Sequence, residues 1–308
     1  MENNKSAILK GTEQSQESIV GVDTGELLVT NPKSSGRFYS DALDSSQING
    51  IIHSINPHLI TLIGFSEFGK STFVASMYHR AMTQGNIDGY DFYDSDTFSG
   101  FERRAYIRDV ELKLKKRFNR TTNTEGYFLT MYFKKENEKL LLVISDRSGE
   151  TYRNEYTTNA EAVKADKSLI YSNHIVFFID ISALIIDDKY LKFRSKFNSL
   201  ISRFNSVGVF KNKKVIDVVF NKIDLLNEDD KNACLSFELR AKEILQLIEE
   251  VSQTRINRQF KICSNKMADN ESLYKVFDYF VESCKPVNTP IAPKIDWIDT
   301  KVSELWEK

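Results

Sequence analysis

The chain has 308 residues, 41% of them hydrophobic and 28% charged, with a formal net charge of −1. That length supports a sizeable core, the charge balance gives no global bias toward nucleic acid or anionic membrane, and no apolar run approaches a membrane span. The three cysteines form no C-x-x-C and the four histidines no metal-ligand pattern, which argues against a disulfide framework or a zinc site and fits a reducing cytoplasm.

Residues 1–50 are rich in Asn, Ser, Gln and Gly and lack the apolar core of a signal peptide. They read as a flexible or loosely attached segment in which ESIVGV and ELLVT can pair as a short hairpin. The core is expected to begin near His58. Leu59, Ile60, Leu62 and Ile63 read as a buried parallel strand, and Phe73, Val74, Met77 and Met82 follow at helical spacing. Between strand and helix stands G-x-x-x-x-G-K-S, from Gly64 to Ser71. Strand, glycine loop and helix together make a phosphate site. Gly64 and Gly69 let the backbone turn and aim N–H groups inward, Lys70 supplies a full charge and Ser71 a hydroxyl for Mg²⁺. The candidate binding residues of this stretch are Gly64, Ser66, Glu67, Phe68, Gly69, Lys70, Ser71 and Thr72.

TQGNIDGYDFYDSDTFSG then reads as a long insertion loop with Tyr90, Phe92, Tyr93 and Phe98 interleaved, and FERRAYIRDVELKLKKRF as a helix whose basic residues form a solvated face or, alternatively, contact a phosphate or partner. YFLTMYF and KLLLVIS read as an antiparallel hairpin at the sheet edge. The second of these strands runs into Asp146, Arg147, Ser148, Gly149 and Glu150. An aspartate at a strand tip followed by a glycine is the second phosphate-side motif of a GTPase: Asp146 holds Mg²⁺ through water and the Gly149 N–H meets a γ-phosphate. HIVFFIDIS is the next strand, with Asp180 as a loop cap or, alternatively, a site residue. Tyr190, Phe193, Phe197, Leu200, Ile201 and Phe204 form a core stripe on the following helix.

VIDVVFNKIDLL ends in Asn221, Lys222 and Asp224. N-K-x-D at a strand tip selects guanine: the Asp carboxylate accepts from the guanine N1–H and exocyclic amine, the Lys stem covers the base, and the Asn ties the loop to the phosphate loop. A helix over residues 228–252 is expected to turn Leu235, Leu239, Ile244, Leu247, Ile248 and Val251 inward. RQFKIC leads into Cys263, Ser264, Asn265 and Lys266, a further base-contact loop. A last core helix with Asn270 as N-cap precedes KPVNTPIAP and a tail whose amphipathic helix groups Trp297, Ile298, Val302, Leu305 and Trp306.

The ordered set GFSEFGKS, DRSGE, NKID and CSNK resembles the Ras-like P-loop GTPases over about residues 57–285. SDTFSGFERRAYIRDV and the Gly-Glu ending narrow the resemblance to the "double-GTPase" proteins of bacterial conflict and defence gene clusters, in the translation-factor-like branch. The implied fold is an α/β three-layer P-loop domain, its sheet mostly parallel with one antiparallel edge strand. The implied domain runs over 51–285 with an insertion at about 84–125, and residues 286–308 form the tail. The implied function is a Mg²⁺-dependent GTP-binding switch that hydrolyses GTP to GDP and phosphate, slowly without a protein partner. Alternatives are a non-hydrolysing nucleotide-bound adaptor, an ATPase or nucleotide kinase, or a structural module without nucleotide. Lys70, Gly149 and Glu150 carry the catalytic roles. Ser71, Asp146 and a threonine among Thr121, Thr122 and Thr124 hold the metal, and Arg120 and Arg147 are candidate arginine fingers. Glu150 departs from the usual Gln or His and can act as a base or repel the γ-phosphate; Glu67 departs from the usual small residue or Asn/Asp.

Overall fold

The computed structural model describes residues 40–55, 57–114, 127–211, 214–227, 229–264 and 271–284. The expected N-terminal hairpin, the candidate threonines, Arg120, Asn265, Lys266, Asn270 and the tail lie outside them.

The folded part begins earlier than expected. Leu43 bridges Phe128 and a helix, α1 (Gln47–Ile55), follows, started by Asp44, whose Oδ1 accepts from the Ser46 and Gln47 N–H groups. Ile48 packs with Leu43 in a small cluster against Leu59, Phe128, Leu141 and Val143. Residues 40–50 therefore belong to the domain, because their apolar side chains cover one face of the sheet.

β1 (His58–Ile63) leads through the glycine loop into α2 (Lys70–Gln84). The insertion is no loop. Gly85, at φ 67°, ends α2, and the chain turns into β2 (Asn86–Ile87) and β3 (Tyr90–Asp94), a small antiparallel hairpin, before α3 (Phe98–Leu114). Of the aromatic residues of this stretch, Tyr90, Phe92 and Tyr93 lie on β3 and Phe98 opens α3. Phe92, on the core side, sits 5.7 Å from the Phe133 ring.

β4 (Phe128–Lys135) and β5 (Glu138–Ser145) pair antiparallel from Phe128↔Ser145 to Lys135↔Glu138. α4 (Ala160–Ala165) and α5 (Lys167–Tyr171) are capped by the side chains of Asn159 and Asp166. β6 (His174–Asp180), α6 (Ser182–Ile185) and α7 (Asp187–Val207) follow. Then come β7 (Val215–Asn221), α8 (Lys231–Ser252), β8 (Arg258–Ile262) and α9 (Glu271–Glu282).

The strands form one sheet in the order β2-β3-β4-β5-β1-β6-β7-β8. β5, β1, β6, β7 and β8 are mutually parallel. The sheet is mostly parallel as expected, but the antiparallel wing holds β4, β3 and β2 rather than one strand, so YFLTMYF is not the edge. Every residue of β6 is buried, as a central parallel strand covered on both faces requires.

The α7 stripe is core: Tyr190, Phe193, Phe197, Leu200, Ile201 and Phe204 are all buried. The α8 face differs from the expected one. Phe237, Ala241, Ile244 and Ile248 are buried, while Leu235 and Leu239 are 61% and 64% exposed. At about 100° per residue, Leu235 and Leu239 point roughly opposite to Phe237 and Ala241. Hydrophobicity alone had placed them with the wrong face.

Parallel pairing brings the C-terminal ends of β1, β5, β6, β7 and β8 to one sheet edge. There stand the glycine loop, Asp146, Asp180, Asn221 and Ser264.

Candidate functional site

The glycine loop is shaped from both sides. A Cβ at Gly64 would stand 2.6 Å from the Phe178 carbonyl oxygen, so β6 itself demands glycine. Gly69 has φ 89°, and a Cβ there would stand 2.0 Å from Asn221 Nδ2. Glu67 is exposed and takes the left-handed region at φ 69°, a strained conformation for a residue with a Cβ. The rings of Phe65 and Phe68 lie 5.7 Å apart and 5.9 and 5.7 Å from Phe193. This aromatic triad anchors the loop on α7; each buried ring contributes roughly 1.5–3 kcal/mol. The ring of Phe68 is thus core, and its carbonyl is the atom that faces the neighbouring strand tip. Ser66, Ser71 and Thr72 are half-buried.

Lys70 is buried, and its Nζ donates to the Gly64 carbonyl at 2.6 Å, bridging the loop it belongs to, and stands 5.7 Å from the Tyr152 ring centroid. Ser71 Oγ donates to Asp146 Oδ1 at 3.0 Å. The other Asp146 oxygen accepts from Arg104 Nε at 2.7 Å. Gly149 lies directly on the glycine loop: a Cβ would stand 2.2 Å from Ser66 N and 2.3 Å from Phe65 C. Glu150 is exposed and opens a π-helical turn, Thr151–Glu155, its N–H 3.3 Å from Ser148 Oγ.

Arg147, offered as a finger, is committed elsewhere. Its Nε pairs with Asp166 Oδ2 at 2.9 Å and its guanidinium stacks 3.9 Å from the Tyr127 ring. Burial alone would lower its pKa, but Asp166 and the tyrosines around it outweigh burial and hold it above the ordinary value. A guanidinium engaged this way anchors the segment after Asp146.

On the base side, Asn221 is 1% exposed and joins three segments. Its Nδ2 donates to the Phe68 carbonyl at 2.9 Å, and its Oδ1 accepts from Ser264 N at 2.9 Å and Ser264 Oγ at 3.0 Å. Lys222, at φ 66°, pairs through Nζ with Asp180 Oδ2, while Asp180 Oδ1 caps the Ser182 N–H at 2.8 Å. Asp180 is therefore both a cap and the partner of the base-loop lysine. Asp224 is exposed in a 3₁₀ turn, Ile223–Leu225.

Ser71 Oγ and the Asp146 carboxylate are hard oxygen donors within one hydrogen bond of each other, a set that fits Mg²⁺. Among the described residues no group of three or more His, Cys, Asp and Glu could hold a metal ion. A Mg²⁺ site of this kind draws its remaining ligands from nucleotide phosphates and water. Residues 58–276 match the model of the Double-GTPase 2 family. The chain belongs to this family. No curated protein matches the sequence.

Several solved structures are similar to this double-GTPase. Era in complex with MgGDPNP and nucleotides of 16S ribosomal RNA is 15% identical, with 73% of this chain and 56% of that chain covered at TM-score 0.36. Toc33 from Arabidopsis thaliana in complex with GDP and Mg²⁺ is 9% identical, with 80% and 96% covered at TM-score 0.42. The elongation factor SelB from Methanococcus maripaludis in complex with a GTP analogue is 10% identical, with 74% and 35% covered at TM-score 0.35. The double-GTPase chain spans little more than half of Era, and 29% of the bacterial selenocysteine-specific elongation factor.

Sequence reading missed Arg104, the Lys222–Asp180 pair and the aromatic anchoring of the loop. The basic residues of FERRAYIR read first as a solvated face, yet the Arg104 side chain is only 15% exposed. The signal available was the pair of adjacent arginines between the phosphate loop and the D-x-x-G strand, and nothing local says which of the two turns inward. Among the described residues no helix is long and apolar enough to cross a membrane.

Proposed function

We propose that this double-GTPase binds GTP and GDP with Mg²⁺ at the common strand edge and hydrolyses GTP to GDP and phosphate as a molecular switch in the cytoplasm. The observation that supports this most is Asn221, which joins the N-K-I-D loop to the phosphate loop and to Ser264. A base reader and a phosphate cradle are thereby held as one rigid unit.

Lys70 and the N–H groups of the glycine loop take the β- and γ-phosphates, and Asp224 accepts from the guanine N1–H and amine. Ser264 and its neighbours Asn265 and Lys266 flank the base. Ser71, Asp146 through water, and a threonine among Thr121, Thr122 and Thr124 would hold Mg²⁺, which would supply charge neutralisation to the phosphates. Gly149 reads the γ-phosphate through its N–H, and its close packing on the glycine loop supports this role. Glu150 positions the attacking water and takes its proton as water oxygen bonds to the γ-phosphorus and the β–γ bridge breaks. The resemblance to defence-cluster double-GTPases supports a role for the switch in a bacterial conflict system with a protein effector.

The test is a competition among GTP, ATP and xanthosine triphosphate. Wild type should prefer GTP. Asp224→Asn exchanges an acceptor for a donor, an unsatisfied buried polar group costs about 1–3 kcal/mol, and GTP affinity should fall roughly 5- to 150-fold with a gain for xanthosine triphosphate. Wild type without a GTP preference over ATP would refute guanine selectivity. A second reading, a nucleotide-bound adaptor that does not hydrolyse, draws on Glu150 standing where a neutral residue is usual. Single-turnover phosphate release separates the two.

A further inference from the structure

α3 points one cation at the phosphate side of the site. Arg104 donates from Nε to Asp146 Oδ2 at 2.7 Å and from Nη1 to the Gly100 carbonyl at 2.9 Å, one turn back on its own helix. The pair is sheltered, with side-chain exposures of 15% for Arg104 and 3% for Asp146. The opposite Asp146 oxygen accepts from Ser71, so a single carboxylate joins the guanidinium to the candidate metal ligand of the phosphate loop.

The helix that carries Arg104 is firmly docked. A Cβ at Gly100 would stand 2.7 Å from Ala42 N, and the Gly100 N–H donates to the Ser40 carbonyl at 3.2 Å. The rings of Tyr78 and Phe101 stack at 4.7 Å, and the Tyr78 hydroxyl donates to Glu102 at 2.6 Å. The backbone of Arg104 is fixed beside Asp146, and the freedom left is that of the side chain. Among the described residues Asp146 is the anion that Arg104 pairs with, since Glu102 is engaged by Tyr78 and Asp166 by Arg147.

We propose that Arg104 couples Mg²⁺ binding to the γ-phosphate. It neutralises Asp146 while no divalent cation is there, and turns to γ-phosphate oxygens when Mg²⁺ is held by Ser71 and, through water, by Asp146. This rests on the nucleotide reading above. A divalent cation on the Ser71 side of Asp146 repels a guanidinium held at the other oxygen, and the low local dielectric screens that repulsion little. A guanidinium displaced from Asp146 needs another anion, since a sheltered charge without a partner is costly. GTP offers a planar fork of phosphate oxygens that suits a guanidinium. GDP lacks that group, so Arg104 goes on competing for Asp146 and the metal is held weakly. In the GTP complex Arg104 touches the substrate at the oxygens where charge collects during phosphoryl transfer, and is a catalytic residue supplied in cis.

The experiment is a titration of free Mg²⁺ against the dissociation rates of fluorescent GDP and a fluorescent non-hydrolysable GTP analogue. It uses the full chain as wild type, Arg104→Gln and Arg104→Lys, with thermal unfolding as a check on folding. In wild type the GDP complex should need at least fivefold more Mg²⁺ than the GTP-analogue complex for half-maximal slowing. In Arg104→Gln the GDP midpoint should fall at least threefold and the gap should narrow, with Arg104→Lys in between. A gap unchanged in Arg104→Gln would overturn the proposal, as would midpoints that rise together, the mark of an arginine that merely orients Asp146. Should Arg104→Gln not fold, Arg104→Lys keeps the charge without the fork, and an unchanged gap there is equally fatal. Failure of wild type to bind guanine nucleotide refutes the underlying reading as well, whereas guanine binding with an unaltered gap removes Arg104 alone.

Discussion

Replacing Asn221 by Ala removes all three hydrogen bonds that join the strand tips. The Phe68 carbonyl, the Ser264 N–H and the Ser264 hydroxyl each lose their partner. A typical net contribution is about 1 kcal/mol per bond, and a buried group left unpaired costs about 1–3 kcal/mol. Phe68 and Ser264 are both buried, so water cannot readily take the place of the amide. The expected loss is about 3–5 kcal/mol, large against a typical total of about 5–15 kcal/mol but survivable. Ser264→Ala is the graded control. It removes only the hydroxyl bond, leaves Oδ1 paired with the Ser264 N–H, and should cost about 1 kcal/mol. The assay is urea unfolding followed by circular dichroism with linear extrapolation. The variant should also lose guanine-over-adenine preference before it loses phosphate binding, because the base loop is cut free while Lys70 stays. An Asn221→Ala variant no less stable than Ser264→Ala would refute the view that this amide binds the two loops together.

Lys70→Ala should lower GDP affinity at least tenfold, since charge-assisted hydrogen bonds contribute roughly 1.5–3 kcal/mol each; titration with a fluorescent guanine nucleotide reads it, and unchanged affinity in a folded variant would dismiss the phosphate-loop role. Glu150→Ala should slow single-turnover hydrolysis about 10²-fold with little change in GTP binding, and faster hydrolysis would make Glu150 inhibitory. Lys214 is a pH probe: burial lowers its ammonium to about 8, and its Nζ donates to the Ile170 carbonyl at 3.1 Å. The unfolded chain keeps that proton to about pH 10, so between about pH 8 and 10 unfolding takes up a proton and stability rises with pH, by on the order of 2 kcal/mol. Urea midpoints at the two ends of that window should show the rise in wild type and not in Lys214→Met; an equal rise in both would assign it to another group.

The elements on which the site stands were largely legible. β1, β6 and β7 are apolar runs in the sequence; β1 runs into Gly64, and β6 and β7 end on the buried polar residues Asp180 and Asn221. That is local information: a strand reads as a strand because its own residues must be covered on both faces. The two misread elements depended on partners. Tyr90 to Asp94 looks like a loop because Gly and Asp surround it, yet β4 offers a free edge and the segment pairs with it. The α8 face was assigned by hydrophobicity, and Leu235 and Leu239 face away because α6 and α7 cover the other stripe.

For this protein the sequence by itself determined which loops meet at the strand ends, through the spacing of Gly64, Lys70 and Ser71, of Asp146 and Gly149, and of Asn221 and Asp224. Spacing along a chain defines what one turn or one strand tip presents, and no more. The bonds that make a site of these loops span far greater separations: 153 residues from Asn221 to Phe68 and 42 from Arg104 to Asp146. Only the tertiary structure decided them. Arg104 rather than Arg103 reaches the carboxylate because α3 is docked by Gly100 on Ala42 and by Phe101 on Tyr78, which turns one arginine to Asp146 and the other to Asp41. A helix rotated by one residue would exchange the two, and nothing in FERRAYIR itself sets that rotation.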